Sequence, residues 1–222
     1  MKKMLYFLSF AIVLSLTACS EQVQAPDIVF QSPVKDVNWG MSPVEVIEIL
    51  ELSEEGIQNN NGGIVVLKCE DLDIFGQSAD VEMMFDTQAQ MGLMHMWIYF
   101  HDVSKESLVE TLNNAYGDCS MIDSEGVPCQ WKSEKIEDMS EEIQERFQQI
   151  LVFPTAWDNE QSGFSGETIW NAKKTQSLVT VTLSDNILNY NATYMAGYLV
   201  LSDDNAYEEL LNYLNSNDDT WR

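Results

Sequence analysis

The sequence predicts an α+β fold: an antiparallel meander sheet with helices packed on one face. Three observations predict it. Strand-like runs follow one another between residues 63 and 100, separated by turn residues and with no helical segment between them. Capped stripes of helical spacing flank those runs. The regular alternation of strand and helix that builds a parallel sheet is missing. A composition of 45% hydrophobic and 10% aromatic residues belongs to a chain that buries a core.

The first helix is signalled by Trp39-Gly40-Met41-Ser42-Pro43-Val44-Glu45-Val46. Ser42 is placed to cap, Pro43 suits the first helical position, and Glu45 completes a capping box, with Met41 able to staple onto Val46. The spacing predicts a helix to about residue 53 that buries Val46, Ile47, Ile49 and Leu50 and stops at Gly56. Strands are predicted over residues 63–68, 71–75, 81–85 and 93–100, with turns at 76–78 and 86–92. Asp102 and Ser104 then lead into a helix carrying Leu108, Leu112 and Tyr116, closed by Gly117. A loop follows. Ser140 opens a helix with Ile143, Phe147 and Ile150 on one stripe, ended by Pro154. Strands are predicted again over 168–171, 178–183 and 194–201. A last helix carries Tyr207, Leu210, Leu211 and Leu214, and the polar end from 215 to 222 frays.

Setting Asp102 against Asp204 aligns a strand, an acidic turn and a helix, Leu108 over Leu210 and Leu112 over Leu214. That alignment reads either as two similar halves or as two instances of a common unit. The chain accordingly divides into 1–18, a tether over 19–37, a helix and sheet unit over 38–118, and a second unit over 119–222 continuous with the first. The tether spans about 25 Å as a flexible coil and roughly 60 Å fully extended.

Charge narrows the partners. Lys and Arg number 11 against 36 Asp and Glu, for a formal net charge of −25. Phosphate backbones are bound through Lys and Arg, so nucleic acid is excluded as an expected partner, and anionic headgroups repel the body as well.

Lys2 and Lys3 precede a largely apolar run to Leu16, which ends in Leu16-Thr17-Ala18-Cys19. A short positive region, an apolar segment too short to span a bilayer and small residues before a cysteine form a secretion signal. These four residues match the lipobox of bacterial lipoproteins, and the chain resembles that class. The resemblance implies a signal peptide over 1–18, diacylglyceryl transfer to the Cys19 sulfur, cleavage before it, and acylation of the new amine. Cleavage there removes two lysines and leaves a mature chain of formal charge −27. Two or more acyl chains hold firmly where one is marginal, so lipid on Cys19 is the membrane contact. Ser20 stands where some Gram-negative lipoproteins carry an inner-membrane aspartate, which leaves the outer face of the plasma membrane and the outer membrane both open.

The Trp39-Gly40-Met41-Ser42 entry into a helix, followed by a strand meander, resembles the small envelope-lipoprotein modules of the SmpA/OmlA and beta-lactamase-inhibitor-like kind. The resemblance covers residues 37–117. It implies a protein-binding or assembly role without chemistry, and carries over no functional residue.

Candidate sites are few. Outside Cys19 three cysteines remain, and a bridge between Cys119 and Cys129 would close the loop between them, leaving Cys69 as a buried inert thiol in its Val-rich segment. His95 and His101 are the two histidines, and six strand residues separate them by about 20 Å, too far for one ion. One is expected to pack and the other to end the strand. Asp71, Asp73, Gly76 and Glu82 have the residue types of a calcium loop, but Phe75 stands where an oxygen ligand belongs and the segment reads as strand, turn, strand. Paired acids such as Glu141-Glu142 and Asp203-Asp204 are explained by the helix dipole or by a solvated face. The Met-rich and aromatic runs 81–85 and 93–100 are apolar on both faces, so such a strand should be central and covered twice, the alternative being that a remainder left exposed is a binding surface with adaptable Met side chains.

The expectation is therefore a non-enzymatic binding or assembly lipoprotein of the cell envelope. It has no catalytic residues, no metal and no cofactor, and it meets an envelope protein partner through its sheet. The alternatives are a secreted enzyme inhibitor, on the resemblance, and a hydrolase using carboxylates.

Overall fold

The computed structural model describes residues 30–52, 57–60, 63–88, 90–152 and 165–216. The expected signal segment with Cys19, the stops expected at Gly56 and Pro154, and the tail beyond Ser216 lie outside the described residues.

The fold is α+β. Among the described residues, eight strands form one antiparallel sheet in the order β1-β2-β3-β4-β8-β7-β6-β5: β1 (Ile57–Asn60), β2 (Ile64–Ile74), β3 (Gln77–Asp86), β4 (Gly92–Phe100), β5 (Met121–Ile122), β6 (Pro128–Lys132), β7 (Thr180–Ser184) and β8 (Ile187–Asn191). The sequence splits into two runs of four strands. The outer strands of the sheet, β1 and β5, open the two runs; the last strands, β4 and β8, meet at the centre over five residue pairs from His95–Asn191 to Tyr99–Ile187.

The helices are α1 (Pro43–Ile49), α2 (Lys105–Tyr116), α3 (Glu141–Val152), α4 (Gly166–Lys173), α5 (Thr193–Ser202) and α6 (Asp204–Ser216), with a 3₁₀ turn at Ile136–Asp138. At α1 the capping box is formed: Glu45 N–H donates to Ser42 Oγ, and the Glu45 carboxylate accepts from Ser42 N–H at 2.8 Å. The helix ends sooner than its pattern suggests, with Leu50 as its C-cap and Glu51 at φ +52, and of the four expected apolar positions Val46 is fully buried while Ile49 is exposed. Helix α2 is capped by Ser104, buries Leu108 and Leu112, and ends at Gly117 with φ +79. Helix α3 buries Ile143, Phe147 and Ile150 as one stripe.

Strand β2 merges the two runs expected at 63–68 and 71–75. A bulge between Cys69 and Leu72, with Asp71 at φ +54, lets one strand carry both. Phe75 and Gly76, both at positive φ, make the two-residue hairpin to β3.

Four sequence expectations are corrected. Residues 168–171, expected as strand, lie in α4, which Ser165 caps by accepting from Thr168 N–H. Residues 194–201, also expected as strand, form α5. This helix is apolar around its circumference and sits between β4 on one side and α3 and α6 on the other, so no 3.6-residue stripe appears in its sequence. Gly197 permits the α3 contact, since a Cβ there would stand 3.3 Å from Phe147 Cε1. The Asp102–Asp204 alignment falls with α5, because a strand precedes α2 and a helix precedes α6. The packed body already includes residues 30–37, which were expected to belong to a tether: Phe30, Val34 and Val37 are buried in the core, Phe30 stacks on Tyr116 at 4.5 Å, and Trp39 Nε1 donates to the Phe30 carbonyl. Strands β1, β5, β6 and β8 were not foreseen; each is short, and β1 is largely polar.

The core fills the helix side of the sheet. Met83, Met96, Ile98, Trp131, Val181, Leu188 and Tyr190 point into it, joined by Leu108, Leu112, Phe147 and Leu201 from the helices. Trp131 Nε1 donates to Asn113 Oδ1 of α2, and the Tyr116 and Tyr190 hydroxyls meet at 3.0 Å. Burial pushes the Tyr116 hydroxyl up to about 12.

Candidate functional site: the open face of the sheet

Period two sends the other half of each strand to the opposite face. Strand β4 was expected to be covered twice. It is central, but helices cover one face: Met96, Ile98 and Phe100 are buried, while His95, Trp97 and Tyr99 are only half-buried on the open face. The register lays cross-strand rows over that face. One runs Lys68, Glu82, Trp97, Asn189, Thr182, Gln130 across six strands; beside it run Met84, His95, Asn191, Thr180 and Lys132. Neighbours in a row stand about 5 Å apart, so the first row is roughly 25 Å long.

The half of this face over β4, β8, β7 and β6 forms a depression of about 580 Å³ between Trp97 and His95 on one side and Gln130, Lys132 and Gln176 on the other, floored by Thr and Asn side chains of β7 and β8. Among the described residues no Asp or Glu lines it. The side chains of Gln130, Thr180, Thr182, Ser184 and Asn189 make no hydrogen bond to a described residue. Each carries a donor and an acceptor that no described residue satisfies.

His95 is held in place. Its Nε2 lies 3.0 Å from Thr193 Oγ1, its ring stacks on Trp97 at 5.6 Å, and its buried Nδ1 has no partner among the described residues. Burial lowers its pKa, which favours the neutral ring at neutral pH.

The other sequence candidates fall elsewhere. His101 ends the strand, and its Nε2 is 3.3 Å from Asp80 Oδ1 and 3.8 Å from Asp71 Oδ1. These three side chains, with ligand atoms all within 4.8 Å, are the set among the described residues that could hold a cation. Asp71 and His101 are exposed and Asp80 is half-buried, and a histidine side chain lying between two carboxylates accounts for the same geometry without an ion. The calcium-loop reading at residues 71–82 does not assemble: Asp73 Oδ1 accepts from Gly76 N–H within the hairpin, and Glu82 pairs with Lys68 at 2.6 Å. Cys119 and Cys129 are unbridged, with Cys129 Sγ donating to the Met121 carbonyl at 3.6 Å. Cys69 is buried, which raises its thiol to about 11. Glu142 and Asp204, from the paired acids, both pair with Arg146, whose guanidinium lies over Tyr207.

Sequence reasoning missed the floor of the depression. Its signal was the alternation of small polar with apolar residues in Thr180-Val181-Thr182-Leu183-Ser184 and Ile187-Leu188-Asn189-Tyr190-Asn191, which marks two half-buried strands. No family model, curated protein or solved structure matches this chain. Among the described residues no helix is long and apolar enough to cross a membrane.

Proposed function

We propose that this chain is a lipid-anchored protein of the bacterial envelope that binds without catalysing, using the open face of its sheet. The lipobox at Leu16-Thr17-Ala18-Cys19 supports the anchor, and the acidic body leaves lipid as its hold on the membrane. One observation carries the binding role: a half-buried face with a tryptophan, a histidine and a floor of uncommitted amides and hydroxyls lies open in a molecule whose opposite face is packed by helices. Such a surface has the size and convergent polar groups of a recognition site.

Two measurements test this. Cys19→Ala should move the protein from the membrane to the soluble fraction and abolish labelling by a radioactive fatty acid; membrane retention of that variant would sink the anchor. A photo-crosslinker at position 182 in the full chain, irradiated in cells, should give an adduct absent from the same probe at Glu209 on α6. Equal labelling at both positions, or none at either, would sink the open face as the binding surface.

A further inference from the structure

We infer that the depression over β4, β8, β7 and β6 takes a neutral saccharide. The inference rests on the open-face reading above and names its ligand. Charge decides first. The chain carries a net −25, so an anionic ligand approaches against the field of the whole body. A cationic ligand is drawn to the protein but finds no carboxylate among the described residues of the depression, of which Lys132 is the charged one. A neutral ligand is what remains.

Hydrogen-bonding capacity decides next. The amides of Gln130 and Asn189 and the hydroxyls of Thr180, Thr182 and Ser184 each both donate and accept, and none is spent on a described residue. They match a ligand whose own groups both donate and accept at short intervals, which is a row of sugar hydroxyls. An extended peptide would instead recruit main-chain amides at a sheet edge, and the amides of β7 and β8 are already used on both sides by their neighbours.

The apolar element fits as well. Trp97 offers a planar indole at the wall of the depression, with Ile187 beside it, for the C–H face of a pyranose ring. A volume of about 580 Å³ lies in the range of small-ligand sites and suits a few sugar rings.

The test is titration of the purified full chain, held in a zwitterionic detergent without a sugar headgroup. The probes are chitotetraose, cellotetraose and maltotetraose, read by calorimetry and tryptophan fluorescence. At least one should bind with a Kd below about 1 mM. Trp97→Ala and Asn189→Ala should each weaken it by about tenfold, while Asp80→Asn, outside the depression, leaves it unchanged. Thr182→Arg, an outward replacement on a half-buried strand position, should block binding with the melting temperature held. The inference is overturned if none of the three oligosaccharides binds at about 10 mM, or if binding survives both Thr182→Arg and Asn189→Ala. If the oligosaccharides fail while the probe at position 182 crosslinks a protein, the ligand class is wrong and the binding face stands. If both fail, the face itself is wrong.

Discussion

His95 shows how one side chain couples the fold to pH. Its ring is wedged between Trp97 and Thr193 with Nδ1 buried and unpartnered among the described residues, so burial depresses its pKa below the unfolded value of about 6.5. A histidine depressed in the folded state contributes stability that is present above the unfolded pKa and lost as pH falls below it. The melting temperature should therefore drop between pH 7 and pH 5, and His95→Gln should flatten that segment of the profile. A drop of the same size in the variant would show that other groups cause it. Asp123 acts lower on the scale. Lys105 and the Val127 and Glu125 amides hold its carboxyl at about 2, so the stability it contributes is lost as pH falls from about 4 towards 2. The two windows are separate, which lets one acid titration report on both.

At the scale of elements, the capping box and the glycine contacts set local geometry. Ser42→Ala removes the acceptor for Glu45 N–H and should cost about 1 kcal/mol, measured by urea denaturation. Gly92 is more demanding. It stands at φ +64 where the Trp39–Met41 segment crosses the start of β4, Gly40 N–H donating to the Leu93 carbonyl and Leu93 N–H to Met41. A Cβ there would lie 2.1 Å from the Gly40 carbonyl oxygen, which is backbone and cannot swing aside. Gly92→Ala should destabilise by about 3 kcal/mol or more, and a loss below about 1 kcal/mol would mean the crossing is looser than it stands. Elements with strong local signals were legible: α1 and α2 through their caps, α3 through its Ile143, Phe147, Ile150 stripe, and β2 to β4 through branched and aromatic runs bounded by turn residues. Helices α4 and α5 were not. In α5 every side of the helix is covered, so Tyr194 to Leu201 is apolar throughout, and an eight-residue apolar run rich in aromatic and branched residues has no period to separate helix from strand. Strand β8 was missed for the opposite reason, since its Asn189 and Asn191 face the open side and break the apolar run into single residues.

At the scale of the molecule, pairing of β4 with β8 makes the two four-strand runs a single sheet over a shared core. Unfolding should be one transition, with Trp39 near the start of the body and Trp131 in β6 reporting coincident midpoints in single-tryptophan variants; separated midpoints would show that the runs unfold independently. The body also begins earlier than composition suggests. Phe30 and Val34 are buried, each worth roughly 1.5 to 3 kcal/mol, so a soluble form starting at Val37 should be less stable than one starting at Ser20 by about 3 kcal/mol in urea. Equal stability would return those residues to the tether.

The local chemistry of the chain determined what local chemistry can: where the capped helices α1 and α2 start, where strand-like runs lie between turn residues, and an acidic composition. These depend on neighbours within a turn or a strand, so they are written in contiguous residues. Only the tertiary structure decided which face of β4 stays open, and with it the candidate site. Trp97, Asn189, Thr182 and Gln130 are separated in sequence by up to 92 positions and become one row only when β4 pairs with β8, β8 with β7, and β7 with β6. Registers of that kind are set by burial of the opposite face, where one slipped residue would turn Met96, Tyr190 and Val181 out to water.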